Sequence, residues 1–426
     1  MTLPIGISHH CSAELTVEAA TVRYRRNWAI PSAALAMCLL AMSAASAQQL
    51  LSRANNRVAA SSARTSIACA RPASRASTYI AVLLDSVRVA NDLPALAAAF
   101  VTKDSIVAIG VSGFRRYHGT VPVTIDDRFH IGSDLKAMTA GLIGVLVDRG
   151  RLQWTSTLSE LLPELSSTMR DEYKTVTVRE LLSQQSGLVP NATVPFNQST
   201  ERQQRVAFAK WVLEQPPASP RGKYSYANSN YTLAGAIAER LMNAPYEQLM
   251  SDLLFEPIGM TTVGWGAAGT VNKEDQPWQY RFDGAKRIEV APGPTSDNPP
   301  VMSPAGRANM SIGDWALFTQ TVLRAESGMK SPWTRATSHE LTTAAVPTSP
   351  TDGYAMGWLT TNRGWAGPTG RTLTHAGSNT MNYALAWLAP DAGFGIIVVT
   401  NQAGDAASKA TDAMVGRLLQ WRTTGK

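Results

Sequence analysis

The sequence predicts an α/β (α+β) body: one antiparallel sheet, built from both termini and flanked by helices, facing a mostly helical inserted subdomain. Two observations predict it. Both ends of the body read as a helix together with strands, and the middle reads as helical periods joined by loops. At the front, Ile80, Leu83, Leu84 and Val87 give Tyr79–Asn91 the spacing of a helix. Leu96–Val101 and Ile106–Val111 are apolar runs around the polar turn Thr102–Ser105, a hairpin pattern. At the far end, Arg371–Gly377, Tyr383–Leu388 and Gly395–Thr400 read as strands. The last two are separated by the turn signal Ala389-Pro390-Asp391-Ala392-Gly393. Gly404–Trp421 closes the chain as an amphipathic helix through Ala407, Ala410, Met414, Leu418 and Leu419. Between them, the helix candidates are Leu135–Val147, Arg179–Ser183, Asn230–Met242, Tyr246–Phe255 and Ile312–Ala325. This divides the body into a sheet lobe (79–132 and 336–426) and a helical lobe (133–335), with an active site expected in the cleft between them.

Composition restricts the function classes. Of 426 residues, 44% are hydrophobic and 17% charged, which suits a large core and excludes wholesale disorder. Three cysteines exclude a disulfide scaffold, and no Cys or His spacing suggests a metal site. The net charge of +7 invites a nucleic-acid reading, but its location argues against one. Residues 1–47 carry Arg23, Arg25 and Arg26 against Glu14 and Glu18, and residues 48–78 carry five arginines and no acid. Six of the seven net charges therefore precede Tyr79, and the body is nearly neutral.

The first segment has the layout of a secretory signal peptide. A basic patch precedes an uncharged stretch from Trp28 to Ala47, which ends in the small-residue site Ala45-Ser46-Ala47. An uncleaved anchor helix has similar length, but Pro31 and the short apolar centre Ala33–Leu40 favour cleavage. The expectation is a periplasmic or secreted bacterial protein with no stable membrane anchor after cleavage. The Ser-, Ala- and Arg-rich stretch 48–78 reads as a solvated linker.

The candidate chemistry lies in three places. Ser133-Asp134-Leu135-Lys136 follows Gly132 and opens a helical pattern. A serine needs a base to remove its proton, and a lysine three residues on lies one turn away on the same face. Burial or a neighbouring cation must then lower the lysine. An N-cap serine with an exposed lysine gives the same pattern. A second Ser-x-x-Lys, Ser327–Lys330, reads as a helix C-cap because Gly328 lies inside it. Tyr226-Ala227-Asn228 is the second place. Its tyrosine can pass a proton to a leaving group, and its amide can hold both lysine and substrate. The competing reading is a capping loop with Asn228 or Asn230 as N-cap. Ser296-Asp297-Asn298 is a further polar triplet, but its four flanking prolines read as a turn. The third place is His375-Ala376-Gly377 at the end of a predicted strand. There a basic side chain can orient a substrate group, Gly377 allows substrate to approach the backbone, and the Ser378 N–H can join that of Ser133 as an oxyanion hole. His130-Ile131-Gly132 adjoins Ser133 and cannot face it.

In order and spacing these elements resemble the serine β-lactamase and penicillin-binding protein family, specifically its class C β-lactamase-like branch. The resemblance runs from about Leu93 to Gln402. Phe129–Ser133 resembles the family's approach to its nucleophile, and Leu181-Leu182-Ser183-Gln184-Gln185-Ser186-Gly187-Leu188 is similar to its LLTHTSGL segment. Leu254–Met260 is similar to FxPLGM, and Tyr354-Ala355-Met356-Gly357-Trp358 to YGLGW. The resemblance implies Ser133 as nucleophile, Lys136 as its base partner, Tyr226 as proton shuttle and Asn228 as a substrate-positioning amide. It implies a cofactor-free serine hydrolase that acts on an amide or ester of a small molecule or peptide, which the leader would export. The branch includes D-alanyl-D-alanine carboxypeptidases and family VIII esterases. A non-catalytic binder of penicillin or cell-wall peptides is the alternative. One departure stands out: class C enzymes usually carry Lys-Thr-Gly where this chain has His375-Ala376-Gly377.

Overall fold

The computed structural model describes residues 74–424. The predicted signal peptide and all but the last residues of the predicted linker lie outside them. Helix α1 spans Ser74–Ala90, so it begins inside the stretch read as linker. Strands β1 (Ala95–Thr102) and β2 (Ile106–Gly113) form the expected hairpin. No helix among the described residues is long and apolar enough to cross a membrane.

Three short strands follow between lobes: β3 (Arg128–His130), β4 (Gly264–Trp265) and β7 (Ala308–Ser311) pair in the order β3-β7-β4. Strands β5 (Gln279–Asp283) and β6 (Lys286–Val290) form a separate hairpin. The remaining strands are β8 (Val346–Pro347), β9 (Gly353–Tyr354), β10 (Leu359–Asn362), β11 (Arg371–Ser378), β12 (Tyr383–Ala389) and β13 (Phe394–Thr400). The main sheet runs β2-β1-β13-β12-β11-β10-β9-β8, so the first and last strands of the body pair inside it, next to the β2 edge. Every neighbouring pair in it is antiparallel.

The helices used below are α2 (Leu135–Asp148), α3 (Glu201–Glu214), α4 (Asn228–Met242), α5 (Ile312–Glu326), α6 (Arg335–Thr342) and α7 (Asp405–Thr424). Strand β1 explains why the sheet needs two helical layers. Ala97, Ala99 and Val101 belong to the same core as Trp315 and Phe318 of α5. Leu96, Ala98 and Phe100 belong to the opposite core, with Ile80 and Leu84 of α1 and Met414 and Leu418 of α7. A strand covered on both faces is apolar at consecutive positions, which is how its sequence reads.

Two features depart from the expectation. Helix α5, assigned by sequence to the helical lobe, covers the sheet: Thr319 lies so close to β13 that a Cβ at Gly395 would stand 2.9 Å from its Cγ2. The assignment followed chain order, and order does not say which side of a lobe boundary a helix packs against. Helix α3 was not anticipated at all. Its core-facing stripe is Arg205, Phe208, Ala209 and Val212, so an arginine occupies the first position of an otherwise apolar helical repeat, while Val206 is exposed.

That arginine clamps the helical lobe. Fully buried, Arg205 donates from Nε and Nη2 to Glu239 of α4 at 3.0 and 2.7 Å, and from Nη1 and Nη2 to Glu247 at 3.0 and 2.8 Å. Nη1 also reaches the Pro300 carbonyl at 3.3 Å. Removing one partner of such a cluster leaves buried charge without compensation. Arg205→Ala is therefore expected to lower the free energy of unfolding by about 3–5 kcal/mol, measured by urea denaturation. A change under 1 kcal/mol (~1, a surface-like value) would contradict the clamp.

Candidate active site

The helix α2 that carries Lys136 is buried all round from Leu135 to Leu146, the signature of a helix running through a core. A 3-10 turn, Gly132–Asp134, precedes it and bears Ser133. Opposite this turn is an open stretch of β11. Strand β10 pairs only with Arg371–Thr374, so His375–Ser378 have no strand neighbour on that side. The turn takes its place: a Cβ on Gly377 would stand 2.0 Å from the Ile131 carbonyl oxygen and 2.6 Å from Oδ2 of Asp134. A Cβ on Gly132, whose φ is +52°, would stand 2.3 Å from the Ser378 nitrogen. The packing of the Ser133 turn against β11 thus by itself requires glycine at 377.

Lys136 is wholly buried, and its amine meets three oxygens. Nζ lies 2.9 Å from Ser133 Oγ, 2.7 Å from Asn228 Oδ1 and 2.6 Å from the Ala305 carbonyl oxygen. The latter two can only accept. A neutral amine spends two N–H bonds on them and turns its lone pair to the Ser133 hydroxyl. Burial lowers Lys136 from its ordinary value to about 7, with the Asp134 carboxyl acting in the opposite direction. The reading of Lys136 as an exposed lysine beside a capping serine is therefore excluded.

Tyr226 stands over this amine, with its ring centroid 4.9 Å from Nζ. Burial of its hydroxyl end pushes that group up, and the neighbouring Ser133 side chain draws it partly back. The residue as a whole is 37% exposed. Tyr226 is thus a phenol, not a phenolate, at neutral pH: a proton donor beside a base. Asn228 opens α4, but the N-cap is Ala227, so the capping role considered for Asn228 falls away. Its Nδ2 donates to Asn191 Oδ1 at 2.8 Å. Asn230 is not a cap either. It is buried, accepts from Ser186 Oγ at 2.5 Å and donates to Gln184 Oε1 at 2.6 Å. Gln184 Oε1 also accepts the Ala227 N–H at 2.9 Å, and Tyr231 donates to the Leu182 carbonyl at 2.6 Å. The 181–188 segment thus ties down the loop that presents Tyr226.

His375 reaches the site as a buried ring. Its ring lies 6.3 Å from that of Tyr226 and 6.4 Å from that of Tyr354, and 4% of the residue is exposed. Burial, helped by the Lys136 charge, lowers it to about 3. It is a neutral ring at working pH and supplies no cation to a substrate. Ser378 Oγ is occupied in its own turn, donating to the Asn382 carbonyl at 2.7 Å and accepting the Thr380 N–H at 2.9 Å. That leaves its backbone N–H, beside Gly132, as the part able to serve the site.

Sequence reasoning missed the support behind the nucleophile. The Gly132 N–H donates to His130 Nδ1 at 3.0 Å, which leaves Nε2 to donate to Asp297 at 2.9 Å. Asn379 Nδ2 donates to the other Asp297 oxygen at 3.0 Å. The Ser296-Asp297-Asn298 triplet, read as a turn, thus holds the nucleophile turn through His130. No local signal joins residues 167 positions apart. Ser327, by contrast, is the C-cap of α5 as expected, donating to the Leu323 carbonyl at 2.9 Å.

Comparison with known proteins agrees with this architecture. A Penicillin-binding protein 4 from Amycolatopsis lactamdurans is 28% identical over 176 residues, 41% of this chain and 46% of that protein. Protein flp from Staphylococcus aureus is 22% identical over 291 residues, 68% of this chain and 56% of that protein. The chain thus spans about half the length of these curated relatives. Among solved structures, a penicillin-binding protein homologue from Pyrococcus abyssi superposes with a TM-score of 0.65 at 20% identity, covering 80% of this chain and 77% of that one. The D-alanine carboxypeptidase AmpC from Burkholderia cenocepacia gives 0.62 at 19% identity, covering 80% and 98%. At such identities the likeness concerns the fold. The Beta-lactamase family model matches residues 80–420, nearly the whole described body, and the chain belongs to that family.

Proposed function

We propose that the protein is an exported serine hydrolase that cleaves an amide or ester of a small molecule or peptide through a Ser133 acyl-enzyme. The observation that carries this reading is the Lys136 amine, held 2.9 Å from Ser133 Oγ by two oxygens that only accept. Ser133 Oγ bonds to the substrate carbonyl carbon while its proton moves to Lys136 Nζ. The oxyanion is received by the N–H groups of Ser133 and Ser378. As the tetrahedral intermediate collapses, the C–N or C–O bond breaks and the Tyr226 hydroxyl protonates the leaving atom. Lys136 returns the proton to Tyr226, and water then releases the acyl group by the same relay. Export rests on the reading of residues 1–47. His375, being neutral, recognises substrate by hydrogen bonding and not by charge.

Ser133→Ala is expected to abolish labelling by a fluorophosphonate probe and to reduce ester hydrolysis by about 10⁶-fold. Labelling that persists, or that maps to Ser327, overturns the assignment. Relative kcat/KM on a chromogenic cephalosporin, a short-chain nitrophenyl ester and a D-Ala-D-Ala peptide then identifies the substrate class. Slow acylation without turnover on all three would favour the penicillin-binding alternative.

The pH dependence has a definite sign. Lys136 acts as a base only when neutral, so kcat/KM should fall about tenfold per unit as pH drops below about 7. His375 titrates far below this, so His375→Asn should leave that acid limb in place even where it changes KM. An acid limb that disappears in this variant would transfer the base role to His375.

A further inference from the structure

The mechanism above needs two backbone N–H groups, those of Ser133 and Ser378, held at a fixed separation. Each lies beside backbone that does not fix itself. Gly132, at φ +52°, precedes Ser133 and has no side chain to anchor its turn. Thr380, at φ +69°, follows Ser378 where β11 doubles back toward β12. A non-glycine residue keeps such a conformation only where its surroundings over-determine it. The groups that do so are therefore part of how the site is built.

One buried carboxylate reaches both places. The Asp297 side chain is 2% exposed. On one side its Oδ2 accepts from His130 Nε2 at 2.9 Å, and the other ring nitrogen of His130 accepts the Gly132 N–H at 3.0 Å. On the other side its Oδ1 accepts from Asn379 Nδ2 at 3.0 Å. Asn379 directly follows Ser378. Its Oδ1 accepts the Met381 and Asn382 N–H groups at 3.1 and 2.9 Å, which fixes the turn. Gln279 locks the arrangement: Oε1 accepts from Asn379 and Asn382, and Nε2 donates to the Ser296 carbonyl at 2.8 Å. His130, Gln279, Asn379 and Asn382 are all buried. Burial works against a charge on Asp297, yet His130, Asn379 and the Asn298 N–H keep its carboxyl below the ordinary value. Arg307 Nε stands 3.8 Å from Oδ2. A carboxylate accepts on both oxygens at once, whereas a carboxamide offers one acceptor and one donor group.

We propose that Asp297 is a positioning residue of the oxyanion hole, one carboxylate that fixes the Ser133 and Ser378 N–H groups relative to each other through His130 and Asn379. The inference rests on the serine-hydrolase reading. When Ser133 Oγ bonds to the carbonyl carbon and its proton passes to Lys136, the carbonyl π pair moves onto oxygen. The two N–H groups stabilise that oxyanion only if both stand at hydrogen-bond distance from it. They come from chain segments far apart in sequence, and Asp297 is the group hydrogen-bonded to the supports of both. It touches neither substrate nor the reacting atoms and acts through geometry alone.

The test is Asp297→Asn, an isosteric variant that can satisfy one arm only, with rates expressed per active site by end-point fluorophosphonate labelling. On a nitrophenyl ester, kcat is expected to fall about 100-fold with KM little changed, the mark of an interaction made in the transition state. An alkylboronic acid, whose tetrahedral adduct on Ser133 places an oxygen in the hole, should bind more weakly by a similar factor. An unchanged kcat per labelled site, or a raised KM alone, assigns Asp297 a packing role and overturns the proposal. Amide hydrogen exchange followed by NMR is the second readout. The Gly132, Met381 and Asn382 N–H groups are all expected to exchange faster in the variant, and acceleration on one arm alone overturns the brace. Should Asp297→Asn not fold by circular dichroism, His130→Asn decides. Its Oδ1 can still accept the Gly132 N–H as an Asx turn, but the side chain is too short to reach Asp297. The same loss of kcat is expected there, and full activity overturns the proposal. Failure of the unmodified protein to be labelled at Ser133 would instead refute the hydrolase reading, on which the exchange readout does not depend.

Discussion

A single amine without water dictates most of this architecture. Lys136 is buried in the centre of the molecule, and a buried ammonium or amine is tolerable only where its donors find acceptors. Its partners come from separate parts of the chain: Ser133 from the turn before α2, Asn228 from the start of α4, and Ala305 from the short helix Ser303–Gly306 before β7. Each is anchored in turn. Thr139, one turn beyond Lys136, donates to the Pro304 carbonyl at 2.7 Å and so pins the short helix that offers Ala305. The Arg205 cluster holds α4 against the segment containing Glu247. Burial lowers the basicity of Lys136, and the fold supplies the partners that make burial possible.

The seam between the lobes does the rest through close backbone contact. The open stretch of β11 receives the nucleophile turn at Gly377, and the 354–358 segment closes on the other side. A Cβ on Gly357, at φ +84°, would stand 2.5 Å from the Ala137 nitrogen. Such contacts leave little freedom for Ser133, and preorganisation of this kind limits the reorganisation needed on reaching a transition state. The same closeness keeps Asp134 and Lys136 buried.

The family's usual cation at the last motif is replaced here by a neutral ring between Tyr226 and Tyr354. A charged lysine at that position would share the core with Lys136, whose positive charge already disfavours protonation of His375. The histidine therefore changes the electrostatics around Lys136.

Some of this was legible in the sequence and some was not. The central strands were, because strands covered on both faces are apolar at successive positions and their turns carry Gly, Pro and Asp. The long helix α2 was, through its apolar repeat. Ser133, Lys136, Tyr226 and Asn228 were singled out by spacing within short motifs, and the structure brings all four together. Helix α3 was hidden because a buried arginine interrupts its stripe. Strands of two to five residues were hidden because no period can be read over so few positions. The burial of His375 and the His130–Asp297 support were invisible for a different reason. Local order determined which groups are present and which share a helix turn. Only tertiary packing decided which are shut away from water and which distant residues face them, and solvation and pair distance set their protonation.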